Sequence, residues 1–164
     1  MTPNDATTCN YSLWTEMRRS RPNPDTLTAW RSLLVVQRHL VEVLDAELRA
    51  ESGVPLEHYD VLYQLSLAEG HRLRMSELAG RLLIARSTCT RLVDRLVQRQ
   101  LVERRHDPAD RRLVWVALTS QGYSVQRRAA QVHLDGIEAH FGTKLTPEEL
   151  ACLAQVLNEL ADDL

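Results

Sequence analysis

The sequence predicts a mainly α-helical fold that contains one β-hairpin. Apolar residues recur at helical spacing over residues 26–51 and again in the carboxyl-terminal third of the chain. Residues 101–104 and 113–118 are instead rich in Val, Leu and Trp and flank a segment of turn-forming residues. The chain has 164 residues, which suits one globular unit with a modest core.

The first two helices have clear boundary signals. A long helix is predicted over residues 26–51, and Gly53 ends it. Pro55 opens the second helix, because proline is well tolerated at the first helical position, and this helix stops at Gly70. Residues 1–25 precede both helices as a polar arm that contains three prolines.

Two short helices and the hairpin follow. Ser76 is expected to cap a helix over residues 77–83, and Ser87 to begin an amphipathic helix that ends near Arg99. A helix, a short turn and an amphipathic helix are typical of a helix-turn-helix, in which the second helix reads DNA. The hairpin over residues 101–118 follows this reader helix directly, as the wing of a winged helix-turn-helix does.

The chain ends in two further helices. Thr119 is expected to start a helix of about twenty residues that ends at Phe141. For the last helix, Thr146 is the predicted N-cap, Pro147 takes the first helical position and Glu149 closes a capping box.

The terminal helices carry more apolar surface than a small winged helix can cover. The predicted organisation is therefore an arm over residues 1–25, dimerisation helices over residues 26–51 and 119–164, and a winged helix-turn-helix over residues 54–118. The fold class is mainly α, with the N- and C-terminal helices forming a dimerisation bundle. A two-fold axis through this bundle would place two reader helices on successive major-groove faces.

Positive charge is concentrated in one block of an acidic chain. The net charge is −2, whereas the segment from His71 to Arg112 carries +6. Its basic residues are all arginines: Arg72, Arg74, Arg81, Arg86, Arg91, Arg95, Arg99, Arg104, Arg105, Arg111 and Arg112. Its acidic residues are Glu77, Asp94, Glu103, Asp107 and Asp110. Such a localised basic surface is typical of a nucleic-acid reader, since guanidinium groups recognise phosphates and guanine edges.

Several function classes find no support in the sequence. No stretch reaches the roughly 18 uninterrupted apolar residues of a membrane span, and residues 1–10 lack the apolar run of a secretory signal, so a cytoplasmic location is expected. A Gly-rich phosphate loop, a Gly-x-Ser-x-Gly elbow and a His-Glu-x-x-His pair are all absent, so we expect neither an enzyme nor a cofactor.

Cysteine and histidine spacing does not indicate a metal site. Cys9, Cys89 and Cys152 are an odd set without metal-type spacing, which favours free thiols in a reducing compartment. The histidines are scattered along the chain at positions 39, 58, 71, 106, 133 and 140. No bound metal is therefore expected.

The chain resembles the multiple-antibiotic-resistance regulator (MarR) family from about residue 54 to its end. The motifs that carry the resemblance are MSELA at 75–79, RSTCTRLVDRL at 86–96, LVERR at 101–105, DPADRR at 107–112 and VALTSQG at 116–122. Their order and spacing together make the resemblance specific. It implies a homodimer that binds pseudo-palindromic DNA operators, usually as a repressor relieved by phenolic, urate-like, metal or oxidant signals.

The resemblance also assigns DNA-binding residues. The reader positions that match the family lie near the start of the helix in the major groove: Arg86, Ser87, Thr88, Thr90 and Arg91. Arg95 matches a phosphate contact or an internal partner of Asp94. Arg111 and Arg112 would enter the flanking minor groove, where narrow A·T tracts attract arginine, and Asp110 would orient a neighbouring arginine.

The effector is less well defined by sequence. The family's pocket lies between the dimerisation bundle and the DNA-binding lobe, and it would take a small aromatic or anionic effector. Residues that would line it are Trp30, His39, Tyr59 and Tyr63. Ligand-contacting positions of the urate-responsive subgroup are matched by Trp14, Asp60, Arg91 and Arg104. An aromatic face, guanidinium partners and a carboxylate suit a purine anion.

A thiol-based oxidant sensor of the same family is the alternative. Its reactive cysteine would lie in the first long helix, whereas Cys9 lies upstream of that helix. Cys89 replaces an apolar position of the reader helix and is expected to be buried and unreactive.

Overall fold

The structure, a computed structural model, describes residues 22–107 and 113–162. The chain divides into two compact units, Met1–His39 and Leu40–Leu164. The described elements are α1 (Pro24–Ser52), α2 (Leu56–Leu67), β1 (Arg72–Arg74), α3 (Met75–Arg81), α4 (Arg86–Gln98), β2 (Val102–His106), β3 (Val114–Leu118), α5 (Ser120–His140) and α6 (Pro147–Asp162). Single turns of 3₁₀ helix follow α2 at Glu69–His71 and α5 at Gly142–Lys144.

Helix α1 begins two residues earlier than the sequence predicted. The side chain of Asn23 accepts a hydrogen bond from the backbone N–H of Asp25 at 2.9 Å, which satisfies one of the unpaired donors at the start of the helix. Gly53 ends the helix as predicted, in a left-handed conformation with φ of 67°. In the first unit every described residue is exposed, including Trp30 and the leucines beside it.

The predicted N-cap of the third helix is wrong. Helix α3 starts at Met75 and its N-cap is Arg74, so Ser76 lies inside the first turn. The backbone N–H of Arg74 donates to Oε2 of Glu77 at 2.8 Å, and this contact fixes the start of the helix earlier than Ser76. Helix α4 likewise begins at Arg86, one residue before the predicted Ser87.

The hairpin belongs to a three-stranded antiparallel sheet with strand order β1-β3-β2. Its two long strands, β2 and β3, were predicted to within two residues at each end. Strand β1 was not predicted; it pairs with β3 so that Arg74 lies opposite Trp115 and Leu73 opposite Val116. Leu73 and Val116 are buried, so one face of the sheet packs on the core.

The predicted starts of the last two helices are confirmed. The Thr119 side chain accepts from the backbone N–H of Gly122 at 2.9 Å, which caps α5. The backbone N–H of Thr146 donates to the Glu149 side chain at 2.9 Å, and the Glu149 N–H donates back to the Thr146 hydroxyl at 3.3 Å. This reciprocal pair is the predicted capping box.

The core of the second unit lies between α2, α3, α4 and the inner face of the sheet. Its fully buried side chains include Leu62, Leu65, Leu78, Leu96 and Val116. Helix α6 contributes none, because each of its described residues is exposed or half-buried. Over the described parts of the chain, no helix is both long and apolar enough to cross a membrane.

Candidate nucleic-acid interface

Helix α4 has one buried and one exposed side. Its buried residues are Cys89, Leu92, Val93 and Leu96, which recur at the spacing of one helical face. The opposite side carries the predicted reader residues: Arg86, Ser87, Arg91 and Arg95 are exposed, and Thr88 and Thr90 are half-buried. The sequence therefore forces the basic residues outward, because the apolar face is fixed against the core.

The reader residues make few contacts with one another. The hydroxyl of Thr90 donates to the carbonyl oxygen of Arg86 at 2.9 Å, within the helix. A guanidinium nitrogen of Arg91 lies 3.5 Å from Oγ1 of Thr88, which is at the outer limit of a hydrogen bond. Within the described ranges, Arg91 therefore has no strong acceptor, and its N–H groups are available to an external one.

Arg95 does not pair with Asp94, which corrects one of its two expected roles. Consecutive helical residues point in different directions. Arg95 instead lies 3.4 Å from a carboxylate oxygen of Glu57 on α2. Asp94 pairs with Arg104 of β2 at 2.6 Å, and this ion pair ties the reader helix to the base of the wing.

Two hydrogen bonds of Asp107 join the two strands of the wing. The backbone N–H of Asp107 donates to the carbonyl of Leu113 at 3.0 Å, and the indole N–H of Trp115 donates to the Asp107 carboxylate at 2.9 Å. Asp110, Arg111 and Arg112, which were assigned to the minor groove and its support, lie outside the described residues.

Two further arginines lie on the outer face of the sheet. Arg72 and Arg74 place their guanidinium carbons 4.8 and 5.2 Å from the centre of the Trp115 ring. The sequence did not single them out, because a three-residue strand gives little periodicity. The one signal for them was the alternation Arg-Leu-Arg at 72–74, which is typical of a half-buried strand.

Part of the expected effector pocket is brought together on α2 and α5. The rings of Tyr59 and Tyr63 stack with centres 5.9 Å apart, and the ring of His133 lies 4.7 Å from Tyr59. Burial raises the pKa of Tyr59 to about 12, and it also raises the pKa of the half-buried Asp60 carboxyl above its ordinary value. A carboxyl whose pKa burial raises is a candidate binding group.

Asp60 is not paired with either of the arginines expected to share its site. Among the described residues, no ion pair links Asp60 to Arg91 or Arg104, since Arg104 pairs with Asp94. Trp30 lies in the first unit with 56% of its surface exposed, and Trp14 lies outside the described residues.

The described thiols fit the expectation of free cysteines. Cys89 is fully buried with its sulfur 3.7 Å from that of Met75, and burial raises the pKa of its thiol. A buried thiol of raised pKa has little reactive thiolate, as expected. Cys9 lies outside the described residues. In the ranges that the structure describes, no three His, Cys, Asp or Glu side chains cluster as metal ligands would.

Comparisons with known proteins agree on one family. A model described as the MarR family matches residues 52–113. The chain is 33% identical over 92 residues to the HTH-type transcriptional regulator YsmB of Bacillus subtilis (strain 168), and the match covers 56% of this chain and 62% of YsmB. It is 28% identical over 156 residues to the HTH-type transcriptional repressor YetL of the same organism, over 94% of this chain and 92% of YetL.

Solved structures extend the likeness to most of the fold. Sco3205, a MarR family transcriptional regulator from Streptomyces coelicolor crystallised in complex with DNA, superposes with a TM-score of 0.82 at 32% identity. The superposition covers 88% of this chain and 91% of Sco3205. These relatives are transcriptional regulators and not enzymes. With its reader helix, its wing and these matches, the chain belongs to the MarR family of transcriptional regulators.

Proposed function

We propose that this chain is a ligand-responsive transcriptional repressor that binds a pseudo-palindromic operator as a homodimer. The reader helix α4 lies in the major groove and the wing enters the flanking minor groove. The observation that carries the proposal is the outward face of α4, where Arg86 and Arg91 are exposed and have no carboxylate partner among the described residues. Sco3205 was crystallised with DNA, and YetL is a repressor, which supports the same role here.

The contacts follow from the chemistry of each position. Arg86, Ser87, Thr88, Thr90 and Arg91 meet base edges and nearby phosphates in the major groove, since guanidinium and hydroxyl groups match those acceptors. Arg95 lies further along the helix and contacts a phosphate. Arg111 and Arg112 read the narrow minor groove through the wing tip.

Dimerisation is supported by unpartnered apolar side chains. Helix α6 exposes Leu150, Val156, Leu157 and Leu160, and within the first unit α1 exposes Leu27, Trp30, Leu33 and Leu34. Exposed leucines at helical spacing mark a protein interface. Residues 26–51 and 119–164 thus form the dimerisation helices, and residues 54–118 the winged helix-turn-helix.

The effector is a small aromatic or anionic molecule. Asp60 and Tyr63, beside Tyr59 and His133, supply a carboxyl and aromatic faces for it. In a urate-responsive protein, the ligand would contact Trp14, Asp60, Arg91 and Arg104. The oxidant-sensing alternative loses support at Cys89, which is buried.

Binding to the DNA upstream of the chain's own gene tests the proposal. Fluorescence anisotropy at rising salt should give an affinity that falls by about 0.9 log units per log unit of salt for each phosphate contacted. Arg112→Ala should weaken binding while leaving the fold intact. A protein that is monomeric in sedimentation, or that binds no duplex at low salt, would contradict the proposal.

The effector is tested on the preformed complex. Urate, salicylate and a neutral phenol are added in excess, and release of the duplex is followed by anisotropy. If urate releases the duplex from the wild type but not from the Trp14→Ala variant, the protein is assigned to the purine-responsive subgroup. A complex that ignores urate but releases DNA with a phenol would assign the other class of effector.

A further inference from the structure

Arg72 and Arg74 are held on the outer face of the sheet by an aromatic ring and not by acids. Both guanidinium groups lie over Trp115, at 4.8 and 5.2 Å from its centre. Arg74 is paired directly with Trp115 in the sheet register, and Arg72 lies two residues away on the same face. Leu73 between them is buried, so the strand is anchored while both arginines stay exposed.

Three other arginines of the basic block are compensated by carboxylates. Arg95 pairs with Glu57, Arg104 with Asp94 and Arg105 with Glu103. Over residues 22–107 and 113–162, no such ion pair involves the guanidinium of Arg72 or Arg74. Glu77, the nearest acid in sequence, accepts from the backbone N–H of Arg74.

An aromatic platform leaves an arginine able to bind an anion. A guanidinium that stacks on a ring keeps its full positive charge and its in-plane N–H donors. Its position is also restrained before binding, so less conformational freedom is lost when an anion arrives. Arg72 and Arg74 are therefore preorganised cations that have no anionic partner among the described residues.

The position of this pair in the sheet adjoins the wing tip. Trp115 pairs with Arg105, and the next and last pair of the hairpin is His106 with Val114. One strand residue spans about 3.3 Å, so the arginines lie within a single side-chain length of the base of the tip. A tip inserted in a minor groove about 6 Å wide is bordered by phosphates on both strands.

We infer that Arg72 and Arg74, stacked on Trp115, bind the sugar–phosphate backbone of duplex DNA beside the wing. This inference rests on the proposed DNA-binding function and adds a contact surface outside the reader helix and the wing tip. An open cleft of about 660 Å³ borders Arg72 and Trp115, and its lining includes Glu69 and Glu77. Arg81 and Arg105 line the same cleft, so its basic residues outnumber its acidic ones. A duplex would reach the exposed guanidinium groups of Arg72 and Arg74 from outside.

A footprint of the upstream DNA first identifies the duplex that the protein protects. The test is how the affinity for this duplex depends on salt concentration. Arg72→Gln and Arg74→Gln should each reduce the magnitude of the slope of log affinity against log salt by about 2, because each removes one phosphate contact from both protomers of the dimer. The affinities of wild type and variants should converge at high salt. Arg128→Gln is the matched control, since it removes the same charge from an exposed position on α5.

Trimming the duplex locates the contact. Removing about half a helical turn, roughly 5 base pairs, from each end should weaken the wild type and leave the Arg72→Gln/Arg74→Gln double variant little changed. Trp115→Phe, which keeps a ring under the guanidinium groups, should retain more of the salt slope than Trp115→Leu. Thermal unfolding by circular dichroism shows whether each variant is folded.

The outcomes separate this inference from the proposed function. If the wild type binds the duplex and the folded double variant shows the same salt slope, the inference is overturned and the proposed function is not. An equal loss in Arg128→Gln also overturns it, because the effect is then one of total charge. A wild type that binds no duplex overturns the inference together with the proposed function.

Discussion

The arginines of α4 differ in what surrounds each guanidinium group. Arg95 lies beside the Glu57 carboxylate, and Arg99 donates to the carbonyl oxygen of Gly53 at 3.0 Å. Among the residues that the structure describes, Arg91 has only the weak contact with Thr88. A side chain that has no strong internal partner contributes to external binding without first breaking a contact, so equal charge on this helix does not mean equal function.

Arg91→Ala should therefore weaken DNA binding more than Arg95→Ala. Loss of a base-edge contact costs about 1–3 kcal/mol of binding free energy, whereas Arg95 is partly compensated by an exposed ion pair worth under about 1 kcal/mol. Anisotropy titrations of both variants with the upstream duplex measure the difference. Equal losses would show that α4 binds through general charge and not through Arg91.

Leu83, in the turn between α3 and α4, combines backbone strain with exposure. Its φ is 53°, a left-handed conformation that costs a residue with a Cβ about 1–2 kcal/mol, and its side chain is 92% exposed. The side chain therefore contributes almost no packing that would offset the strain.

Leu83→Gly should raise the free energy of unfolding by up to about 1 kcal/mol. Relief of the left-handed strain exceeds the extra backbone entropy of glycine in the unfolded chain, which is about 0.5–1 kcal/mol. Leu83→Ala keeps the Cβ and should give no gain. Urea unfolding of the three proteins tests this, and a Leu83→Gly protein no more stable than Leu83→Ala would refute it.

At the scale of elements, the sequence predicted those whose signals are local. The capping box of Thr146 and Glu149 and the cap at Thr119 involve residues three apart, and both were correct. Strand β1 has no local signal beyond three residues, and it exists because Leu73 packs in the core and pairs with Val116. The misplaced cap at Ser76 has the same origin, since β1 delivers the chain directly to Arg74.

The same limit applies to the candidate site. The reader positions of α4 could be predicted because a motif carries them in one contiguous stretch. The stacking of Arg72 and Arg74 on Trp115 joins residues more than forty positions apart, and only the sheet register brings them together. The Asp94–Arg104 pair likewise crosses between α4 and β2.

Two glycines provide a matched pair of helix substitutions. At Gly122, in the first turn of α5, a Cβ would lie 1.9 Å from the carbonyl oxygen of Leu101. At Gly80, in α3, a Cβ would meet nothing within 4 Å. We expect Gly122→Ala to destabilise the protein by about 1–3 kcal/mol or more, because the backbone of Leu101 must move.

Gly80→Ala should instead leave stability unchanged or raise it by about 0.5–1 kcal/mol, because alanine loses less backbone entropy in a helix. Chemical denaturation of both variants gives the two free energies of unfolding. If Gly122→Ala and Gly80→Ala had similar free energies of unfolding, the contact with Leu101 would be relieved without cost.

At the scale of the whole molecule, two histidines make the fold sensitive to acid. Both ring nitrogens of His58 and Nδ1 of His133 are buried and have no hydrogen-bond partner among the described residues. Burial lowers the pKa of both histidines. For His58 the Glu57 carboxylate raises the pKa, whereas the positive charges of Arg99, Arg95 and Arg49 lower it further.

Stability should therefore fall as the pH drops below about 6.5. In that range the histidines of the unfolded chain, which have their ordinary pKa, take up protons, whereas His58 and His133 of the folded chain do not. The loss of stability continues until the pH falls to the lowered pKa values of the folded chain. Urea unfolding as a function of pH measures the slope. His58→Leu and His133→Leu should each reduce it, and the exposed His39→Gln should not; a slope that survives both leucine variants would contradict this assignment.

The start of α5 is bonded to the chain that leaves the reader helix. Thr119 donates through its backbone N–H to the carbonyl of Leu101 at 3.1 Å and through its hydroxyl to that of Gln100 at 2.8 Å, and Gly122 packs against Leu101 without a side chain between them. These contacts oppose translation and rotation of α5 at that end. We therefore expect that a displacement of the far end of α5 would also move the end of α4 and the start of the wing, and would change the affinity for a duplex.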